Sequence, residues 1–90
     1  MTTSLHIVVQ GRVQGVSFRV YTRKQAVKLN IQGFVRNLAN GNVEILAAGT
    51  DEALQQLLAW CRKGPALARV DKVIVHEIPL DEVFNEFEIR

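Results

Sequence analysis

The sequence predicts an α+β fold, a mostly antiparallel sheet with two helices packed on one of its faces. Three observations lead there. Val- and Ile-rich runs with strand-like alternation stand near both ends of the chain and in its middle. Two stretches with the 3.6-residue spacing of helices lie between them. An Asn40-Gly41 pair separates the two central apolar runs, and Asn-Gly is a strong short-range hairpin signal.

Leu5 to Val13 is the first strand, with Leu5, Ile7 and Val9 on one face and Val8 marking it as central. From Phe18 to Leu29, Phe18, Tyr21, Ala26 and Leu29 gather on one helical side, flanked by Arg19, Arg23, Lys24 and Lys28. Ser17 supplies an N-cap for this helix, and Asn30 can take the left-handed conformation that ends it. Gly33 to Ala39 reads as the second strand and Asn42 to Ala48 as the third. A type I′ turn at Asn40-Gly41 joins them, with positive φ at both residues. Thr50, Asp51 and Glu52 provide a cap and first-turn charges for the second helix, in which Leu54, Leu57, Leu58 and Cys61 fall at i, i+3, i+4 and i+7. Arg62 and Lys63 suit its negative end, and Gly64-Pro65 stops it. Val70 to Ile78 is the fourth strand, closed by Pro79. Phe84 to Ile89, with Phe87 and Ile89 on one face, reads as a short edge strand.

The order is β-α-β-β-α-β with an added terminal strand, which is the split βαβ, or ferredoxin-like, sandwich. Ninety residues suit a single domain over 1–90, and 48% hydrophobic with 22% charged residues is a globular composition. A formal net charge of +2 without a run of like charges is weak evidence for a polyanion partner. No signal-peptide pattern opens the chain, and no apolar run approaches the roughly 20 residues of a membrane span, so a cytoplasmic location without a membrane partner is expected. The single cysteine, Cys61, rules out an internal disulfide and a multi-thiolate metal cage. A small buried hydrophobe is its expected role. The plan hosts many functions, so the site must be argued separately.

The stretch GRVQGVSFR, residues 11–19, joins the first strand to the start of the first helix. Helix N-termini present unpartnered N–H groups and favour anions, and glycines let successive N–H groups curl into a concave nest. Arg19 could then fork two N–H bonds onto phosphate or carboxylate oxygens. The spacing Gly11-x-x-x-Gly15, without a Lys-Ser/Thr pair, is not a nucleotide-binding Walker loop. The loop alone is equally compatible with a plain turn beside a solvated arginine. A second segment, NIQGFVRNLANGNVE, places Val35 and Asn37 on one strand face and Phe34, Arg36 and Leu38 on the other. An amide such as Asn37, both donor and acceptor, suits the holding of a water.

Together the two segments resemble the acylphosphatase family, whose signature is a GRVQGVxFR loop followed by LGLxGxVRN and a DG hairpin. This chain reads GRVQGVSFR, LNIQGFVRN and NG, and the resemblance spans nearly its whole length. It implies metal-free hydrolysis of the carboxyl-phosphate bond of acyl phosphates, without a cofactor. Under it, the backbone of Gln14, Gly15, Val16, Ser17 and Phe18 matches the phosphate loop, Arg19 the phosphate-binding arginine and Asn37 the water-orienting asparagine. A small acyl phosphate substrate, inorganic phosphate as product and competitive ligand, and a monomeric chain are expected. Asn30 stands where the family usually has glycine, Asn40 where it usually has aspartate, and Leu38 where some relatives carry a hydroxyl residue.

The chemistry suits so small a set of groups. A carboxylate leaves readily, and a loose phosphoryl-transfer transition state mainly needs its charge stabilised and its water aligned. His6 and His76 lie on strands without a visible partner and are given no role, which leaves a substrate phosphate oxygen to take the proton. An RNA-binding module of this plan would need stacking aromatics on its central strands, and LHIVVQG and NVEILAA contain none. A metal carrier needs paired soft ligands that the chain lacks. The remaining alternative is a non-catalytic domain of the same family that binds an anion or regulates a partner, against which the intact Arg19 and Asn37 argue.

Overall fold

The computed structural model describes residues 2–79 and 82–90. Along the chain these form β1 (Thr2–Arg12), α1 (Phe18–Lys28), β2 (Gln32–Asn37), β3 (Val43–Thr50), α2 (Asp51–Lys63), β4 (Arg69–Glu77) and β5 (Phe87–Ile89). The strands make one five-stranded sheet in the order β4-β1-β3-β2-β5. β1 is antiparallel to both β3 and β4, β2 is antiparallel to β3, and only β5 runs parallel to its neighbour, β2. The expected sheet is therefore present, with the added strand docked at the edge beyond β2.

Period-2 alternation sets which side of the sheet the helices cover. Leu5, Ile7 and Val9 of β1, Val43, Ile45 and Ala47 of β3, Val35 of β2 and Phe87 of β5 are buried in one core with residues of both helices. α2 contributes Ala53, Leu54, Leu57, Leu58 and Cys61, a wide apolar stripe. Each such side chain of Val to Phe size contributes roughly 1.5–3 kcal/mol through removal from water. Thr50 caps α2, its Oγ1 accepting from the Ala53 N–H at 3.2 Å. Asp51 and Glu52 lie in the first turn and Arg62 and Lys63 in the last, each matched to the helix dipole. Gly64, at φ 72°, ends the helix by donating its N–H to the Trp60 carbonyl at 2.7 Å.

The structure departs from the sequence reading in several local details. On α1 the buried positions are Phe18, Thr22 and Ala26, whereas Tyr21 is 45% exposed. Thr22 is tolerated inside because its hydroxyl donates to the Phe18 carbonyl at 2.8 Å, which satisfies its polar atom within the helix. Between β2 and β3 there is no type I′ turn, since Gly41 has φ 94° but Asn40 is not among the residues with positive φ. The Gly41 N–H donates to the Leu38 carbonyl at 3.2 Å and the Leu38 N–H to the Asn42 carbonyl at 2.8 Å. This is a three-residue loop with glycine at its left-handed position, steadied by Asn40 Oδ1 accepting from the Asn42 N–H at 3.1 Å. β2 consequently ends at Asn37 rather than Ala39 and β3 begins at Val43; separately, β3 runs on to Thr50, which pairs with Thr2 at the start of β1. β5 covers only Phe87–Ile89 of the expected Phe84–Ile89 strand. Phe84 instead stacks obliquely on Phe34, with ring centroids 6.0 Å apart. Asn30 does take the left-handed conformation, at φ 58°.

Candidate active site

β1 bends at a bulge between Gln10 and Gly11, so the first glycine of GRVQGVSFR belongs to the strand and not to the loop. The loop proper runs from Val13 to Ser17 and is anchored from below by Val13 and Val16, both buried. Gly15 at φ 74° and Ser17 at φ 61° are left-handed, with Val16 between them outside that region. Such an alternation turns neighbouring N–H groups toward a common centre, the geometry of an anion nest. At Gly15 a Cβ would meet nothing within 4 Å, so the glycine serves the backbone angle and not close packing.

Ser17 occupies the cap position of α1, but its side chain makes no capping bond. A serine cap needs extended backbone angles, and the left-handed Ser17 cannot supply them. Among the described residues, the first N–H groups of α1 are thus left without a side-chain partner, and no acidic residue in the first turn competes for them. Beneath the loop, Phe18 is almost fully buried and lies with its ring centroid 5.3 Å from that of Trp60 at an interplanar angle of 52°.

Above it opens a cleft of about 360 Å³ lined by Val13, Gly15, Ser17, Phe18, Arg19, Val20, Asn37 and Ile89. Arg19 and Asn37, 18 positions apart in sequence, therefore border one space together with the loop. Arg19 Nη1 donates to the main-chain oxygen of Arg90 at 3.0 Å. One turn later Arg23 Nε donates to the Phe87 carbonyl at 3.1 Å, so two arginines of α1 grip the edge strand and the residue that follows it. Two other loop residues do not border the cleft with their side chains. Val16 faces a neighbouring apolar cleft with Tyr21, Trp60 and Leu67. Gln14 turns toward the β2–β3 hairpin, where its Nε2 donates to the carbonyls of Leu38 and Asn42 at 2.8 Å each.

The histidines lie elsewhere. His6 alternates with the buried Ile7 and so occupies the sheet face opposite the helices, beside its register partner His76. Contrary to the sequence reading, His6 has a partner: its Nε2 is 2.8 Å from Glu44 Oε2. Arg36 Nε donates to the other oxygen of the same carboxylate. Burial raises the Glu44 pKa, but the hydrogen bonds from His6 and Arg36, with the Arg36 charge, outweigh it and hold the carboxyl below its ordinary value. Sequence reasoning missed Val20 and Ile89, exposed aliphatic residues on the rim of the cleft. Nothing local signals Ile89, because its place depends on β5 pairing with β2.

A family model, sequence relatives and solved structures of like length carry the same assignment. The family model described as acylphosphatase matches residues 5–89. An acylphosphatase of Methylococcus capsulatus is 46% identical over 85 residues, covering 94% of this chain and 92% of the relative. Among solved structures, an acylphosphatase from Coxiella burnetii superimposes with a TM-score of 0.94 at 39% identity, covering 99% of this chain and 93% of that one. The acylphosphatase from Bacillus subtilis gives a TM-score of 0.94 at 37% identity, with 100% and 99% covered. With a motif, a fold and a family match over residues 5–89 in agreement, the chain belongs to the acylphosphatase family.

Proposed function

We propose that the protein hydrolyses the carboxyl-phosphate bond of small acyl phosphates, releasing a carboxylate and inorganic phosphate. The observation that carries this reading is the single cleft in which the left-handed loop, Arg19 and Asn37 meet. The phosphoryl oxygens take hydrogen bonds from the backbone N–H groups of the Gln14–Phe18 loop and a two-pronged contact from Arg19. Asn37 orients a water for in-line attack on phosphorus through the donor and acceptor of its amide.

The bond formed is from water oxygen to phosphorus, and the bond broken is from phosphorus to the acyl oxygen, which departs with the electron pair as a carboxylate. The proton lost by the water passes to a phosphate oxygen. No side-chain base is required, in keeping with the placement of His6 and His76 away from the cleft. Charge on the equatorial oxygens is met by fixed donors that need no rearrangement as the reaction proceeds. The protein acts as a monomer, and phosphate, retained by the same donors, competes with substrate.

The experiment compares phosphate release from an acyl phosphate and from a phosphate monoester, for the wild type and for Asn37→Ala. The acyl phosphate alone should be turned over, with inorganic phosphate as a competitive inhibitor and no loss on prolonged chelation. In Asn37→Ala, kcat should fall by about two to three decades, the effect of losing one transition-state donor worth roughly 2.7–4 kcal/mol, while phosphate affinity holds. A folded Asn37→Ala with wild-type kcat removes the residue from the mechanism. A variant that no longer binds phosphate moves it from the water to the cradle, and a wild type that binds phosphate without turnover is a non-catalytic anion-binding domain.

A further inference from the structure

We infer that the side chain of Gln14 is a positioning group that fixes the distance between the phosphate loop and Asn37. The inference rests on the water-holding reading of Asn37 and adds a residue to it. The loop follows β1, whereas Asn37 ends β2, and β3 lies between these strands in the sheet. No ladder of the sheet joins β1 to β2 directly. The Gln14 carboxamide reaches across that gap, donating through Nε2 to the Leu38 carbonyl and to the Asn42 carbonyl, both at 2.8 Å. Because both partners are carbonyls, only the amide nitrogen can face them, and both its hydrogens are used.

The bridge is short in covalent terms. Gln14 immediately precedes Gly15 of the nest, and Leu38 immediately follows Asn37. One hydrogen bond therefore ties the two halves of the cleft through a single residue on either side. The bridge is also surplus to forming the hairpin. The Leu38 carbonyl already accepts from the Gly41 N–H at 3.2 Å, and the Asn42 carbonyl from the Leu38 N–H at 2.8 Å. Each carbonyl oxygen has a second lone pair, and Gln14 occupies it. Removing the amide leaves the turn closed and no carbonyl without a partner, so what is lost is the tie between turn and loop. A misplacement of about 1 Å between reacting groups can slow a reaction by about 100-fold, so such a tie bears on rate without touching substrate.

The test is a double-mutant cycle with an acyl phosphate as substrate and inorganic phosphate as the binding probe, on variants shown to be folded by thermal unfolding. Gln14→Met keeps the length of the side chain and removes both donors. Its kcat should fall by about 10- to 100-fold, with phosphate affinity within about 3-fold of wild type, because the backbone nest remains. In the Asn37→Ala background the same substitution should add less than about 3-fold, since it acts through a residue no longer there. Gln14→Asn, whose amide sits one methylene short of the carbonyls, should reproduce the loss and serves if the Met variant does not fold. A wild-type kcat in either folded variant, or an equal loss with and without Asn37, overturns the bridge while leaving Asn37 in the mechanism. A wild-type kcat in Asn37→Ala alone overturns the water-holding reading, and the bridge with it.

Discussion

Arg19 Nη1 donates to the main-chain oxygen of Arg90 at 3.0 Å, so the guanidinium at the cleft is held by the far end of the chain. The N–H of Arg90 is in turn held by the Val35 carbonyl at 2.8 Å, two residues before Asn37 on β2. Under the proposed phosphate-binding role, a flexible side chain that would otherwise lose much rotamer freedom on binding is thus partly fixed beforehand.

Arg19→Lys separates charge from shape. Lysine keeps the positive charge but cannot hold the Arg90 oxygen and fork onto two phosphate oxygens at once. The variant should fold as the wild type does and lose at least about ten-fold in kcat/KM, because one of two parallel charge-assisted bonds is removed. Steady-state kinetics beside thermal unfolding are the check, and near-normal kcat/KM would show that charge alone is enough.

Glu44 gives stability a pH dependence of predictable sign. Its pKa in the folded protein lies below the ordinary 4.5, because the bonds from His6 and Arg36 outweigh the effect of burial. Its contribution is therefore complete above the unfolded-state value and is lost as pH falls through the lower, folded-state one. Glu44→Gln should flatten the fall in stability below about pH 4.5 and leave kcat near neutral pH unchanged. Urea unfolding of both proteins from pH 6 down to 3 tests it, with parallel curves as the contrary result.

Cys61 is fully buried, and burial pushes its thiol pKa up to about 12 despite the nearby charge of Arg62. Since the thiolate is the reactive form, a thiol reagent should label the native protein only as fast as the protein opens. Labelling rates that follow the unfolded fraction across a denaturant series agree with this. Fast labelling without denaturant would contradict it.

Gly33→Ala should be far more damaging than its size suggests. Gly33 has φ 140°, and a Cβ there would lie 1.8 Å from the Leu46 carbonyl oxygen on the neighbouring strand. The backbone must shift within the β2–β3 ladder, where Gly33 pairs with Ala47 between the pairs Gln32↔Ala48 and Phe34↔Leu46. A loss of more than about 4 kcal/mol is expected, a large part of the roughly 5–15 kcal/mol that small domains possess. Chemical denaturation measures it, and a loss under about 1 kcal/mol would show that the strand can yield.

Much of this molecule follows from local sequence. The alternation in β1, the Leu54-Leu57-Leu58-Cys61 stripe with its Thr50 cap, and the left-handed Asn30 are consequences of nearest neighbours along the chain, because backbone sterics and side-chain periodicity act over one or two turns. The glycine loop, Arg19 and Asn37 stood out as candidates from their residue chemistry, and the family signature supplied their roles. Tertiary structure decided the rest. That His6 meets Glu44, that Gln14 bridges to Leu38 and Asn42, that Arg19 grips Arg90 and that Ile89 borders the cleft all join residues at least 24 positions apart or depend on β5 lying parallel to β2. Thr22 entered the core in place of Tyr21 because its hydroxyl finds an acceptor one turn back. Ser17 makes no side-chain cap because its backbone is left-handed. Such choices rest on which strands become neighbours and which polar atoms find partners across them, and these distances exist only once the chain has closed on itself.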